Sequence, residues 1–352
     1  MEKREKDNQT TVTEFIILGF KSLPELQTLL FIIFLAIYMV TMVGNLLIAA
    51  VVLANHNLHK PMYFFLGNLS VLDTCYTSTI LPRILASIIN DYHRISFSGC
   101  FLQFYFFAFL AGAESYLLSA MSYDRYLAIC KPLHYVTLMN NRLCVQLSLA
   151  SWMTGIVASA FTTFFASQRL CVQLSVAPWI IGAVLTAITA FCASHLNFCG
   201  PNEIDHFFCD YTPLLMLSCG ETKQAEILMT VVGFAGIMPP LILTLTSYAC
   251  IINTILKIPS NSGRKKAFST CSSHLIVVTI FYGTLIIVYM LPNTDTLRGL
   301  NKIFSLCYTI LTPMFNPFIY SLRNRDFKQA LTKAFRKFVS ERTMEGNQMQ
   351  QN

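Results

Sequence analysis

The ten residues MSYDRYLAIC, Met121 to Cys130, set an acid, a base and a tyrosine side by side where a long apolar stretch ends. That stretch begins at Gly99, and its length is close to the ~20 residues that a membrane-spanning helix needs. A basic connection with Lys131 follows it. An Asp-Arg-Tyr triplet alone is a weak signal, but this longer string, at a helix end and before a basic loop, is specific.

The composition of the chain places it in a lipid bilayer. Its 352 residues are 54% apolar and 12% charged, with a mean hydropathy of +0.54. So few polar residues cannot cover a water-soluble globule of this size. The apolar stretches lack the two-residue alternation of barrel strands, so the sequence predicts helices. They are Leu26 to Leu53, Pro61 to Ile89, Gly99 to Met121, Leu143 to Ala166, Leu170 to Ala193, Ala225 to Ile255, Cys271 to Leu291 and Ile303 to Leu322.

The net charge of +7 is concentrated in the polar connections. Basic residues gather on the cytoplasmic side of membrane proteins, and these clusters share one side if the chain crosses seven times with its N-terminus outside. This pattern argues against a nucleic-acid partner and predicts a multi-pass membrane protein with a cytoplasmic C-terminus. The clusters are Lys257, Arg264, Lys265 and Lys266 in one loop, and Arg323, Arg325, Lys328, Lys333, Arg336, Lys337 and Arg342 in the tail.

Residues 1–25 form a polar tail without the cleavable apolar core of a signal peptide. Asn8-Gln9-Thr10 in this tail is a glycosylation acceptor, although short motifs of this kind often occur by chance. The location favours Asn8 as the modified residue and therefore an extracellular tail.

The chain contains one near-exact internal repeat. Arg142 to Ser167 and Arg169 to Ser194 are offset by 27 residues and agree at 16 of 26 positions. Agreement of this extent indicates a tandem duplication of one apolar segment. It leaves eight apolar segments for seven crossings, because eight crossings would move the basic loop and tail to the outside.

Hydropathy does not decide how the surplus segment is placed. One copy can cross while the other packs at the periphery or lies along the interface, where Arg169 could reach the headgroups. A hybrid of the two copies can cross instead, or both can cross and frustrate the topology. A gene model that joined two related genes would also produce the repeat. A single duplicated helix does not resemble the inverted halves of a transporter.

Several polar residues lie within the apolar stretches. Asn45, Asp73 and Glu114 occupy the first, second and third stretches, and Asn316-Pro317 occupies the last. Ionisable groups at membrane depth usually face the bundle interior and mark function. The alternative is a structural hydrogen-bond network.

MSYDRYLAIC and several further strings make the chain resemble the olfactory receptors of the rhodopsin-like class of G-protein-coupled receptors. The resemblance runs from Phe15 to Phe335, and the duplicated helix is its one large departure. The further strings are GN at Gly44-Asn45, LHKPMYFFLGNLSVLDTCY at Leu58 to Tyr76, HFFCD at His206 to Asp210, SYACIINTILKIPS at Ser247 to Ser260, KAFSTCSSHL at Lys266 to Leu275, FYGT at Phe281 to Thr284 and PMFNPFIYSLRN at Pro313 to Asn324.

The resemblance implies an all-α, integral-membrane bundle of seven transmembrane helices, here with one extra duplicated apolar segment. The extracellular tail would cover residues 1–25 and the receptor domain residues 26–323, including the segments 142–167 and 169–194. Residues 324–352 would form a cytoplasmic tail that begins with a short amphipathic helix, because Phe327, Leu331, Ala334, Phe335 and Phe338 recur three or four apart among basic residues.

The resemblance also implies a non-enzymatic receptor that binds small volatile odorants and activates the olfactory stimulatory G protein, which raises cyclic AMP. Arg125 would meet the G protein, beside Asp124 and Tyr126, and Asn316, Pro317 and Tyr320 would form a hinge in the last helix. No cofactor is expected apart from a sodium ion at Asp73 and Glu114. The odorant pocket would be lined by Phe104, Phe107, Ala108, Ala111, Gly112, Tyr282, Leu285, Tyr289 and Thr309.

Four cysteines group on the proposed outer side, where an oxidising compartment favours disulfides. Spacing alone allows three pairings and does not select one, and the short ligand spacings of a zinc site are missing. The family resemblance implies Cys100 with Cys209 and Cys199 with Cys219.

Three competing functions remain at this stage. A transporter or channel could use Asp73 and Glu114, and an intramembrane enzyme could use Ser272-Ser273-His274, although a base and an orienting group are not evident. The third is a non-functional relative that the extra helix misroutes.

Overall fold

The computed structural model describes residues 13–19, 24–90, 94–166, 197–198, 202–210, 213–214, 217–219, 223–290, 295–323, 327, 329–333 and 336. These residues fold into long helices with a small layer of strands at one end. The helices are α1 (Gln27–Ala54), α2 (Pro61–Asn90), α3 (Phe97–Cys130), α4 (Asn141–Ala166), α5 (Lys223–Leu256), α6 (Asn261–Met290), α7 (Asp295–Leu306) and α8 (Thr312–Arg323).

The last two helices form one continuous rod. A π-helical segment, Cys307–Leu311, joins α7 to α8, and Leu306 and Thr312 on either side of it keep helical backbone angles. The described chain therefore contains seven long helical units. Short 3-10 turns, Pro24–Leu26, His56–Leu58 and Pro132–His134, and one helical turn, Tyr135–Leu138, occupy connections.

Four segments are long and apolar enough to cross a membrane on length and composition: Gln27–Ala54, Phe97–Cys130, Gly236–Leu256 and Cys271–Met290. Their burial differs according to their place in the bundle. About a fifth of the most apolar stretch of α1 is buried, whereas more than half of the most apolar stretch of α3 is buried. The exposed apolar face of α1 is the surface that lipid would cover.

Helix α3 lies at the centre of the bundle. It contacts α2, α4 and α5, while α1 packs on α2 and α8. The main core follows from this arrangement, with large buried side chains from several helices in mutual contact, among them Tyr76, Phe107, Leu117 and Tyr308.

A layer of short strands covers one end of the bundle, which we call the loop end. In a three-stranded sheet, β1 (Glu14–Ile17) pairs antiparallel with β2 (Arg94–Ser96). On its other edge β1 pairs in parallel with β4 (Glu203–Ile204). The second sheet pairs β3 (Asn197–Phe198) with β5 (Ser218–Cys219). Strands of two to four residues are too short to be predicted from sequence periodicity. Among the described residues, the fold departs from the all-α expectation at the loop end.

The strand layer has its own apolar core. Phe15 of β1 is completely buried, and it lies in one cluster with Ile95, Phe101 and Ile204 and with the Cys100–Cys209 disulfide. The segment before the first helix is therefore attached to the two loops at this end, rather than hanging free.

The first copy of the repeat forms α4. Gly155 of α4 lies against Ala113 of α3, and a short connection, residues 131–140, separates the end of α3 from the start of α4. The two helices are thus antiparallel, and Ala166 comes to the loop end. Asn197, in the strand layer, lies at that end too. The second copy, 169–194, lies outside the described residues, and the extra helix remains a prediction.

Part of the amphipathic tail is described. Phe327 is buried, and Ala330 and Leu331 pack against the main core, whereas Lys333 and Arg336 are exposed. Residues 329–333 are helical. Asn8 lies outside the described residues, and the domain boundaries at 25 and 323 remain predictions.

Candidate ligand pocket and signalling site

An aromatic cluster occupies the half of the bundle nearest the loop end. Its centre is Phe107 of α3. The centroid of its ring lies 4.9 Å from the ring centroid of Phe208, in the loop that carries Cys209. The ring of Tyr76 from α2 is 5.8 Å away, and that of Tyr308 from the π segment 6.1 Å away. One α3 side chain thus meets α2, the last helical rod and the loop that the disulfide fixes.

A carboxylate enters this cluster from the loop. The hydroxyl of Tyr289 on α6 donates to Asp210, at 2.9 Å from Oδ2, and lies 2.9 Å from the hydroxyl of Tyr308. Asp210 is 1% exposed. Since Asp210 directly follows the disulfide-bonded Cys209, the bridge holds the acid over the ends of α6 and the π segment.

The predicted pocket residues divide into two groups. Phe104, Phe107, Tyr282, Leu285 and Thr309 are buried, while Ala108, Ala111, Gly112 and Tyr289 are partly buried. Besides Phe107 and Tyr289, Tyr282 and Gly112 have contacts within the bundle. The hydroxyl of Tyr282 donates to the backbone oxygen of Ser115 at 2.7 Å, and Gly112 faces Gly155 of α4. Contact with a ligand remains a prediction for all nine.

Sequence reasoning missed four members of the cluster: Tyr76, Phe208, Asp210 and Tyr308. Phe208 and Asp210 belong to the string HFFCD, which was used only as a sign of resemblance. Phe208 and Asp210 flank Cys209, and this was the available signal. A disulfide from Cys209 to the start of α3 brings the neighbours of Cys209 to the bundle. The local sequence did not indicate that Tyr308 joins the cluster, because the direction of its side chain depends on the π segment.

A polar centre lies deeper, between α1, α2, α3 and α8. Asn316 donates to Asp73 Oδ2 at 2.8 Å, and Asn45 donates to the backbone oxygen of Pro313 at 3.0 Å. Glu114 is completely buried. Within the described part of the chain neither of its carboxylate oxygens has a hydrogen-bond partner, nor has Asp73 Oδ1. Unmatched buried acceptors on two acids suit a proton or a cation.

The opposite end of α3 carries the Asp124–Arg125–Tyr126 triplet, and we call it the Arg125 end. Arg125 Nε donates to Asp124 Oδ2 at 3.0 Å, and a second guanidinium nitrogen contacts the same oxygen. The hydroxyl of Tyr135 donates to Asp124 Oδ1 at 2.8 Å. Burial, and then the neighbouring Asp124 carboxylate, raise the pKa of Tyr135, so it remains a donor. The arginine is thus tied to its own helix.

Helices α3, α5 and α6 are linked at this end. The Tyr248 hydroxyl lies 2.6 Å from His274 Nδ1, and the Cys130 sulfur lies 3.2 Å from the Thr254 hydroxyl. Ser272 donates to the backbone oxygen of Ser269. His274 is thus engaged with Tyr248 and joins two helices. The hinge residues Asn316 and Pro317 lie within α8, and the backbone of Tyr320 is helical.

Comparisons with known proteins agree on one family. A family model described as 7 transmembrane receptor (rhodopsin family) matches residues 44–170, and one described as Olfactory receptor matches residues 162–337. Human olfactory receptor 11L1 is 46% identical, with 95% of each chain covered. The chain belongs to the olfactory receptor family. Human olfactory receptor 10A7 is 45% identical over 93% of this chain and 95% of its own, and rat olfactory receptor 1468 is 42% identical over 93% and 96%.

Membership in this family makes the protein a receptor and not an enzyme, so the Ser272-Ser273-His274 interpretation is wrong. The two family matches in this olfactory receptor meet at residues 162–170, at the junction of the two repeat copies. The first match therefore includes the first copy and the second match includes the second.

The loop of this olfactory receptor contains the Cys100–Cys209 disulfide, with a Cα separation of 5.5 Å. The other expected bridge, Cys199–Cys219, involves Cys199, which lies outside the described residues. The same loop carries an ion pair between Asp205 and Lys302 of α7. Burial, followed by the positive charge of Lys302, lowers the pKa of His206 to about 4.

Proposed function

We propose that this olfactory receptor binds a small, volatile, largely apolar odorant in the half of the bundle nearest the loop end and activates the olfactory stimulatory G protein. The observation that carries this proposal is the layout of α3. Phe107, at the centre of the aromatic cluster, and Arg125, at the signalling end, lie 18 residues apart on this one helix. Aromatic walls with a few hydroxyls suit a volatile ligand.

The two ends are joined by contacts that can differ between conformations. Tyr282 on α6 bonds to the backbone of α3 next to Glu114, and Tyr248 bonds to His274 on the same α6. An odorant can shift the receptor only by its difference in affinity for two states. A ligand that displaces α6 relative to both α3 and α5 would have this effect, because it would change both contacts.

We infer that the loop end faces outside and the Arg125 end faces the cytoplasm of a cell that carries the receptor in its plasma membrane. The basic loop around Arg264 and the basic tail support this orientation through the positive-inside rule. In this orientation Asn8 would be accessible for glycosylation, and the disulfide would lie in the oxidising compartment. It also places Arg125 where a G protein can reach it.

A cyclic AMP reporter assay with an odorant panel tests the function. Phe107→Ala should raise the EC50 of an activating odorant at least about tenfold, because losing the aromatic contact with the ligand would cost about 1.4 kcal/mol or more of binding free energy. Arg125→Ala should abolish the maximal response. Phe234→Ala, which truncates an exposed phenylalanine on α5, is the matched control.

The function would be refuted if a correctly displayed receptor gave no odorant-dependent cyclic AMP, or if Phe107→Ala and Phe234→Ala behaved alike. Substrate flux without cyclic AMP would instead support transport.

We also propose a sodium ion at Asp73 and Glu114, since it would neutralise two buried carboxylates whose oxygens include unmatched acceptors. Sodium chloride should then raise the melting temperature of the purified receptor relative to choline chloride at equal ionic strength. Asp73→Asn combined with Glu114→Gln should remove that difference. Equal melting temperatures of the wild type in both salts would exclude the ion.

A further inference from the structure

A cavity lies on the side of the bundle, away from the aromatic cluster. It has a volume of about 440 Å³ and opens between the loop-end halves of α2 and α3, beneath β1 and β2. Gln103 forms its inner wall, donating to the backbone oxygen of Thr79 at 3.1 Å and accepting from the backbone nitrogen of Cys209 at 3.2 Å. The cavity is thus walled off from the interior by a satisfied polar side chain.

Charged groups of both signs line the cavity. Arg83 of α2 donates to the backbone oxygen of Arg94 at 2.7 Å, which fixes its side chain across the opening between α2 and β2. The guanidinium of Arg94 lies 3.5 Å from the Glu14 carboxylate of β1. Two cations and one anion therefore surround one space, with Glu14 at the strand side.

The rim of the cavity toward the bilayer is apolar. Leu102 is 53% exposed and Phe106 43% exposed, and both are among the cavity residues. They lie one helical turn apart on α3, which is apolar enough to span a membrane. Their exposed faces continue from the cavity along the surface that lipid would cover.

The depth of Arg83 matches the edge of a bilayer. Helix α2 has 30 residues and is about 45 Å long, so each end would project about 7 Å beyond a hydrocarbon core of about 30 Å if the helix were centred and parallel to the membrane normal. Arg83 lies seven residues before the end of α2 at Asn90, or about 10 Å along the helix. Its guanidinium can therefore reach the level where lipid phosphates lie.

We propose that this cavity binds the headgroup of a zwitterionic phospholipid. The phosphate lies between Arg83 and Arg94, because the guanidinium fork matches phosphate geometry. The quaternary ammonium lies toward Glu14, and an acyl chain runs over Leu102 and Phe106. The two arginines thus face the phosphate and Glu14 faces the ammonium, and the site is separate from the proposed odorant pocket.

Native mass spectrometry of the purified full-length receptor tests the site, with phosphatidylcholine and phosphatidylglycerol of identical acyl chains as probes. The wild type should retain one phosphatidylcholine in preference to phosphatidylglycerol. Arg83→Gln combined with Arg94→Gln should weaken that retention about tenfold, since charge-assisted hydrogen bonds are lost. Arg142→Gln, at an exposed arginine near the Arg125 end, is the matched control and should change nothing.

Glu14→Gln keeps the test decisive if the double variant fails to fold, because Glu14 is an exposed side chain of a surface strand. It should remove the preference for phosphatidylcholine while lipid is still retained. Unchanged headgroup preference in Glu14→Gln, or unchanged retention in the double variant, would overturn the proposal. Displacement of the lipid by millimolar inorganic phosphate would overturn it too, in favour of a free-anion site.

Discussion

At the scale of single residues, a close contact between α3 and α4 depends on two glycines. A Cβ atom at Gly155 of α4 would lie 2.4 Å from the Phe109 backbone oxygen and 2.8 Å from the Ala113 backbone nitrogen. A Cβ at Gly112 of α3 would lie 3.2 Å from the Cα of Gly155. Small residues at membrane helix interfaces allow backbones to approach in this way. Gly112 therefore has a packing role that is independent of any ligand.

Gly155→Ala should destabilise the receptor by about 1–3 kcal/mol, because the methyl group would meet backbone atoms that cannot rotate away. The melting temperature of the purified protein and its surface staining should both fall. Gly283→Ala is the control, since a Cβ there meets nothing within 4 Å and alanine favours a helix. If the two variants have the same melting temperature, the α3–α4 contact is looser than described.

At the scale of elements, the loop that carries Cys209 connects the strand layer to the bundle. Its strand β4 pairs with β1, its Asp210 reaches Tyr289, and its Asp205 pairs with Lys302. His206 is buried between these anchors, with its ring 4.7 Å from that of Phe208. A protonated imidazole at this position would lack water and would face the positive charge of Lys302.

The stability of this loop should therefore depend on pH. His206 has a pKa of about 4 in the folded receptor and 6.5 in the unfolded chain. The neutral His206 contributes its full stabilisation of the folded receptor above pH 6.5, and this contribution is lost as the pH falls toward 4. Between pH 7 and pH 5 the free energy of unfolding should fall by about 2 kcal/mol. Melting temperatures at these two pH values should differ less for His206→Phe than for the wild type. An equal pH dependence in both proteins would assign the effect to other groups.

The last helical rod shows how an element can combine two backbone irregularities. The π segment Cys307–Leu311 directs Tyr308 into the aromatic cluster, and Pro317 interrupts the hydrogen bonds of α8 near Asn316. Proline is visible in a sequence, whereas a π segment is not. One irregularity lies beside the proposed odorant and the other beside the polar centre.

At the scale of the whole molecule, the repeat duplicates the side of α4 that packs. Leu149 and Met153 on the exposed side are replaced by Val176 and Ile180, while the other exposed positions, Arg142, Val145, Gln146 and Ala150, recur. On the packed side, Cys144, Ser148, Trp152 and Gly155 recur as Cys171, Ser175, Trp179 and Gly182, whereas the buried Ser151 is replaced by Pro178. Either copy could therefore make the contacts of the fourth helix, and one segment is surplus.

Removal of residues 142–168 should increase surface expression, and removal of residues 169–195 should have a similar effect. Each deletion leaves one fourth helix and relieves the competition for its place in the bundle. Staining of an N-terminal tag on intact cells, normalised to total protein, measures the result. Equal or better staining of the full-length chain would show that the surplus segment is accommodated, and would remove the case for a misrouted, non-functional receptor.

The sequence by itself determined the membrane class, the helical segments and the receptor family, because apolar length and strings such as MSYDRYLAIC are local properties of the chain. It also identified Asp73, Glu114 and Asn316 as unusual, since a polar residue in an apolar stretch is conspicuous. The tertiary structure decided which of these atoms meet. The Asn316–Asp73 bond, the insertion of Asp210 beside Tyr289 and the Arg83–Arg94 cavity each join residues far apart in sequence, and only packing in three dimensions fixes such distances.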